Sequence, residues 1–168
     1  MDILALRNVV QALHDAQVRY LIVGGVAVNA HGYIRMTSDI DLVVALDADN
    51  IKLAFKALAG AGYRPSVPVT ASGFSEPEQR NQWREEKNMK VLNFFSNTFP
   101  STSVDVFVYE PFDFSQEYEA APEADIFSGL STKFVSIPTL IEMKKVAGRP
   151  RDLDDIQHLE WIQEDENG

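Results

Sequence analysis

The 168-residue sequence contains no cysteine. This excludes disulfides, iron–sulfur clusters and thiolate zinc sites, and it gives no support to secretion. Cations are scarce as well: 15 Lys and Arg stand against 25 Asp and Glu, for a formal charge of −10. That balance argues against general DNA binding and against an anionic membrane surface. An anionic substrate would have to be met locally, by a metal ion, a few clustered cations or helix N-termini. No stretch approaches the ~18 apolar residues of a membrane span. The opening MDILALRNVVQALHDAQ carries Asp2 and Arg7 and has neither a long apolar core nor a small-residue cleavage site, unlike a signal peptide. A cytoplasmic protein is the expectation. The histidines, His14, His31 and His158, lack the i, i+4 spacing of a metal pair, so none is expected to be a ligand, and His31 is read as structural. What remains is a globular composition, with 45% hydrophobic and 24% charged residues, which rules out a wholly disordered or fibrous chain.

The pattern predicts an α/β (α+β) protein with a small mixed sheet, helices packed on one side and a C-terminal helical pair. One domain over 1–168 is expected, its core at about 18–110 and a helical motif at about 137–163. Ile3, Leu6, Val10 and Leu13 mark a helix face over 2–17. YLIV at 20–23, closed by Gly24-Gly25, reads as a buried strand, and 26–31 as a short helix before Gly32. IDLVVAL at 40–46 reads as a second strand and 48–61 as a helix ended by Gly62. Residues 64–88 hold Pro65, Pro68 and Pro77 and read as an irregular excursion, a short helix near 76–86, or both. MKVLNFF (89–95) and SVDVFVY (103–109) read as strands able to form a hairpin. Residues 111–127 are acidic and aromatic without strong periodicity, which suggests a solvated loop, and 132–136 suggest an edge strand. A helix starts at Pro138, stops at Gly148, and is followed by a second helix over 151–163; the last five residues read as a frayed tail. Trp83, Phe94 and Phe95 read as packing residues.

The chemistry is concentrated in Val23-Gly24-Gly25, a thirteen-residue spacer, and Asp39-Ile40-Asp41-Leu42. Alternation along a strand would place Asp39 and Asp41 on one face, ~6.5–7 Å apart. Two carboxylates that close repel each other unless a cation sits between them. Mg²⁺ accepts such oxygen ligands, usually with substrate phosphates and water completing its shell. A D-x-D pair also fits the solvated face of an edge strand. Against that reading, aspartate is depleted in strands, a double glycine lies upstream, and Asp105 is embedded in the β-rich run SVDVFV.

This combination resembles the nucleotidyltransferase superfamily, with its DNA polymerase beta-like fold. The family signature is an apolar residue, Gly-Gly or Gly-Ser, a spacer at whose long end thirteen residues fall, Asp-apolar-Asp-apolar, and a later acidic residue on a strand. Here these are V-G-G at 23–25, D-I-D-L at 39–42 and V-D-V-F at 104–107. A second block, IPTLIEMKKVAGRPRDLDDI at 137–156, resembles the C-terminal motif of small bacterial proteins related to the AbiEii toxin group and to kanamycin nucleotidyltransferase. Lys144, Arg149, Asp152 and Asp155 fall on its motif positions.

The resemblance implies Mg²⁺-dependent transfer of a nucleoside monophosphate from an NTP such as ATP to a hydroxyl. Asp39, Asp41 and Asp105 would be catalytic and would hold two Mg²⁺ ions, Mn²⁺ being an alternative. Gly24 and Gly25 would let backbone N–H groups approach the triphosphate, with Arg35, Ser38, Lys144 and Arg149 as further nucleotide-binding groups. The acceptor could be a small molecule, a tRNA or a protein; a polycationic antibiotic would suit the acidic stretch 110–125. A toxin–antitoxin component with a cognate antitoxin or other protein partner is a compatible role. Alternatives remain. Asp152, Asp154 and Asp155 fit helix capping, Lys144 and Lys145 a solvated helix face, and Arg149 a cap for the preceding helix. A non-catalytic interaction protein would keep the same fold. A haloacid-dehalogenase-like phosphatase would use Asp39 as nucleophile, although that loop should follow an apolar strand and here follows RMTS.

Overall fold

The computed structural model describes residues 1–168. Helix α1 (Ile3–Asp15) begins where the Asp2 carboxylate accepts the Leu4 N–H at 2.8 Å, and it buries Leu6, Val9, Val10 and Leu13. Strand β1 (Tyr20–Val23) is buried throughout and runs directly into α2 (Gly24–His31), which starts at the first glycine, two residues earlier than the pattern suggested. Then come β2 (Ile40–Val44) and α3 (Ala48–Gly60), the latter capped by Asp47. The proline-rich excursion resolves into β3 (Arg64–Pro65), α4 (Ala71–Ser75) and α5 (Pro77–Lys87). β4 (Val91–Phe95) and β5 (Val104–Phe107) form the expected antiparallel pair.

The segment read as a solvated loop instead forms α6 (Phe114–Ala120) and β6 (Glu123–Phe127). Its carboxylates explain the order: Asp113 accepts the Gln116 N–H and Glu110 the Phe114 N–H, at 3.0 and 2.6 Å, so two of them act as local caps. β7 (Leu130–Lys133) follows, then α7 (Ile137–Ala147) and α8 (Pro150–Asn167). The residues read as a frayed tail continue α8 almost to the C-terminus. No helix is long and apolar enough to cross a membrane.

The five-stranded sheet has the order β1-β2-β5-β4-β3. Only β2 and β5 pair in parallel, and the whole stretch from α3 to β4 separates them in sequence. One face carries Leu42, Leu92, Phe94, Val104 and Val106, all buried. It is covered by α3 and α4, where Phe55 meets Phe94 and Phe74 with ring centroids 5.2 and 5.4 Å apart. Trp83 is buried beside Phe74, and Phe95 lies under the Arg64 guanidinium, so both are packing residues. The opposite face, at β2, β5 and β4, carries Asp41, Asp105 and Asn93, each partly exposed. The edge strand read at 132–136 is instead split. Its first part pairs with β6 in a separate two-stranded sheet, and Phe134 bridges Ile22 of β1 in parallel.

Candidate active site

Parallel pairing of β2 with β5 puts Asp41 directly opposite Asp105. Asp39 lies just before β2, and Ser103, just before β5, donates its hydroxyl to Asp39 Oδ1 at 2.9 Å. Asn93, facing Asp105 across the β4–β5 pair, donates Nδ2 to Asp105 Oδ1 at 2.7 Å. Each outer carboxylate is thus oriented through one oxygen. Ser103 and Asn93 were not singled out in the sequence, although a polar Asn inside MKVLNFF was a visible irregularity.

The electrostatic cost is concentrated on the middle residue. Burial, then the charges of Asp105 and Asp39, push the Asp41 carboxyl from 3.8 up to about 7, against the opposing pull of Lys144 and Arg149. Burial also raises Asp105, with the Asn93 hydrogen bond opposing it. A centre of this kind is short of positive charge.

The glycines lie against it. Gly24 has φ +65°, and a Cβ there would overlap the Asp41 carboxylate; a Cβ on Gly25 would overlap Thr37. α2 therefore starts where backbone alone can approach the carboxylates, and its first turn has no side-chain cap. A cleft of about 980 Å³ opens over this end of the sheet. Gly24, Gly25, Arg35, Thr37, Ser38, Asp39, Asp41 and Asp105 line it from the sheet side, and Lys144, Arg149, Arg151 and Asp152 from the C-terminal helices.

Lys144 is not on a solvated face. It is buried, with Nζ 2.9 Å from Asp155 and 3.3 Å from Asp152, whereas its neighbour Lys145 is exposed. Arg35 forks onto Asp155 at 2.6 and 2.7 Å, and Arg149 holds Asp152 through Nε at 2.7 Å. Asp152 also accepts the Arg149 N–H, so it does cap α8, while Asp155 is committed to the ion cluster; both are fully buried. Burial would raise both carboxyls, but the hydrogen bonds from Arg149 and Lys144 to Asp152, and from Arg35 and Lys144 to Asp155, hold them below the ordinary carboxylate range. Three cations on two carboxylates leave the cluster with a surplus of one positive charge. Asp154 takes no part in this cluster and accepts the Tyr33 hydroxyl at 2.6 Å. His31 contacts the Val135 carbonyl at 2.7 Å, as a structural histidine would.

Two readings are corrected here. Asp39 precedes a strand rather than ending one, so the dehalogenase-type nucleophile loop is absent. Of the acidic stretch 110–125, only Glu110, Pro111 and Phe112 reach the cleft. Glu117 is spent on Ser136 and Thr139 at the start of α7, so no acidic pocket forms there.

No three His, Asp or Glu side chains gather tightly enough to cage an ion unaided. The donor set nonetheless suits Mg²⁺, a hard cation that takes one or two carboxylates and completes its shell with water and substrate phosphates. The partly exposed, mutually repelling Asp41 and Asp105 offer that kind of incomplete oxygen site.

The architecture and site together define the nucleotidyltransferase fold. No protein-family model matches the chain, and no curated protein matches its sequence. Among solved structures, the chain is similar to the lincosamide antibiotic adenylyltransferase LnuA in its lincomycin-bound form, with a TM-score of 0.62 and 15% identity over 96% of this chain and 98% of that one. It is also similar to the antibiotic-resistance factor ANT(2'')-Ia, with a TM-score of 0.57 and 13% identity over 92% and 80%. A third similar structure is an antigenic nucleotidyltransferase-like protein of Paracoccidioides brasiliensis, with a TM-score of 0.53 and 18% identity over 93% and 74%.

Proposed function

We propose that the protein transfers a nucleoside monophosphate from an NTP to a hydroxyl of a small acceptor. The observation that carries this reading is the Asp41–Asp105 pair, in register on parallel strands, with Asp39 beside it and the Gly24–Gly25 helix start against it. Asp39, Asp41 and Asp105 would hold two Mg²⁺ ions, with Mn²⁺ as a substitute, and when bound these supply the charge that stabilises the attacking and leaving oxygens of an in-line displacement.

The remaining roles belong to the chain itself. Backbone N–H groups at the start of α2 would receive phosphate oxygens, with Thr37 and Ser38 at the same rim. Lys144, Arg35 and Arg149 contribute their surplus positive charge as a unit, oriented by Asp152 and Asp155, rather than as separate phosphate ligands. Asp105 Oδ2, left open by the Asn93 bond to Oδ1, would take the acceptor hydroxyl proton. Two similar structures bear on the acceptor: LnuA is lincomycin-bound, and a crystal structure of ANT(2'')-Ia, with a TM-score of 0.57 and 12% identity, is in complex with adenylyl-2''-tobramycin.

The test is Mg²⁺-dependent transfer of label from α-labelled NTPs to a panel of small hydroxylated compounds. Asp39→Asn and Asp105→Asn should each lower transfer by about 10²–10³-fold or more. Failure of NTP to bind in calorimetry with Mg²⁺ present would overturn the reading.

A further inference from the structure

Past Asp105 the cleft continues along β5 into a region that the chemistry above does not use. Asp105 and Phe107 share one face of β5, about 7 Å apart, and Tyr109, just past the end of the strand, lines the same cleft. Their rings meet edge-on at 5.7 Å, and the Arg84 guanidinium from α5 lies 3.8 Å from the Tyr109 centroid. Lys90, just before β4, lines the same cleft, as do the apolar Phe112 and Met143. Arg84 and Lys90 share the wall of a smaller adjoining depression, so the two cations are neighbours.

Charge at this end does not cancel. Against the two cations stands one carboxylate at this end of the cleft without an ion-pair partner, Glu110, which accepts the Phe114 N–H at 2.6 Å and keeps its charge, while Glu142 is paired with Lys145 at 3.1 Å. Glu85 lines only the smaller depression. Arg84 and Lys90 have no carboxylate within ion-pair distance. In a chain of net charge −10, two neighbouring cations without an ion-pair partner, Arg84 lying over the Tyr109 ring, favour an anion at this end of the cleft.

We propose that this end of the cleft holds the acceptor, and that the acceptor is a small hydroxylated molecule with an aromatic or flat apolar body and an anionic group, carboxylate or phosphate. The proposal rests on the nucleotidyl-transfer reading of the carboxylate centre. In the step it serves, the acceptor oxygen forms a bond to the α-phosphorus. The bond from that phosphorus to the bridging oxygen breaks, pyrophosphate leaves with the electron pair, and the hydroxyl proton passes to Asp105. Phe107 and Tyr109 would stack the body, and Arg84 and Lys90 would fix its anionic end.

A matched series of probes tests this by titration NMR: 4-hydroxyphenylacetate, (4-hydroxybenzyl)phosphonate, the neutral tyrosol and the cationic tyramine. Each is titrated into the full-length protein, with and without Mg²⁺ and a non-hydrolysable ATP analogue. At least one anionic probe should bind tenfold or more tightly than tyramine, and the stronger of the two identifies carboxylate or phosphate as the preferred group. The preference should vanish in the Arg84→Ala/Lys90→Ala variant, while affinity for the ATP analogue stays as in the parent. Tyramine binding as tightly as the anions, no binding by any probe, or an unchanged preference in the variant would each overturn the proposal. Loss of analogue binding in the variant would place the two cations on the nucleotide and overturn it as well. If the analogue never binds, the transfer reading fails, and the titrations without nucleotide still decide the anion preference.

Discussion

Asp41 shows how a single position can be costly to the fold and central to the candidate site. Its folded-state carboxyl titrates at about 7, above its ordinary 3.8, because it is buried between two other aspartates. The folded protein therefore binds a proton that the unfolded chain releases at lower pH. The sign follows: below about pH 4 the residue is neutral in both states and costs nothing, and as pH rises toward 7 its ionisation favours unfolding. Asp41→Asn should raise the melting temperature of the chelator-treated protein at pH 8 and leave it nearly unchanged at pH 4, as differential scanning calorimetry at the two pH values would show. A gain of equal size at both would refute the electrostatic account. The pair of glycines beside Asp41 was legible in the sequence because glycine has so few reasons to be doubled at a strand end. The reason found here is contact, since a side chain at 24 would meet the Asp41 carboxylate.

At the scale of elements, long periodic segments were readable and pairings were not. α1, α3, α7 and both hairpin strands follow from apolar spacing that local physics enforces. The register that aligns Asp41 with Asp105 depends on a crossover spanning α3 to β4, which no local pattern encodes. α6 and β6 escaped notice because their order comes from capping carboxylates and from docking on distant partners. β6 is anchored through its sheet partner β7, whose Thr132 donates a hydrogen bond to the buried Tyr20 hydroxyl of β1 at 2.7 Å. Tyr20→Phe leaves the Thr132 hydroxyl without that acceptor in a buried setting, which costs about 1–2 kcal/mol. Thermal melts followed by circular dichroism should show a fall of several degrees in Tm. No change would mean that the small sheet contributes little to the cooperative unit.

Across the whole molecule, the C-terminal helices are tied to the mouth of the sheet by charge. Asp155, fully buried, receives Arg35 from the loop before β2 and Lys144 from α7. Both carboxylates of this cluster titrate below their ordinary range, so they stabilise the fold above about pH 4, and that contribution is lost as pH falls through their depressed values. Asp155→Asn removes one anion, leaves the buried Lys144 with Asp152 alone and takes the bidentate partner from the half-buried Arg35, at a cost of about 3 kcal/mol or more. Urea unfolding should register that loss at pH 7, with the gap between variant and parent closing as pH drops below 4. The motif residues here were readable, but their roles were not: a lysine-rich helix end looks solvated until a second helix folds over it.

The in-register ladder between β2 and β5 carries one more consequence. A slip of a single residue would rotate Asp105 from the cleft into the apolar interior and expose Val104 or Val106 in its place. Burying an unpaired carboxylate there is prohibitive, so a mispaired chain is disfavoured by the same group that is proposed above to take the acceptor proton. Under that proposal, the demands of reactivity and of correct topology fall on one side chain.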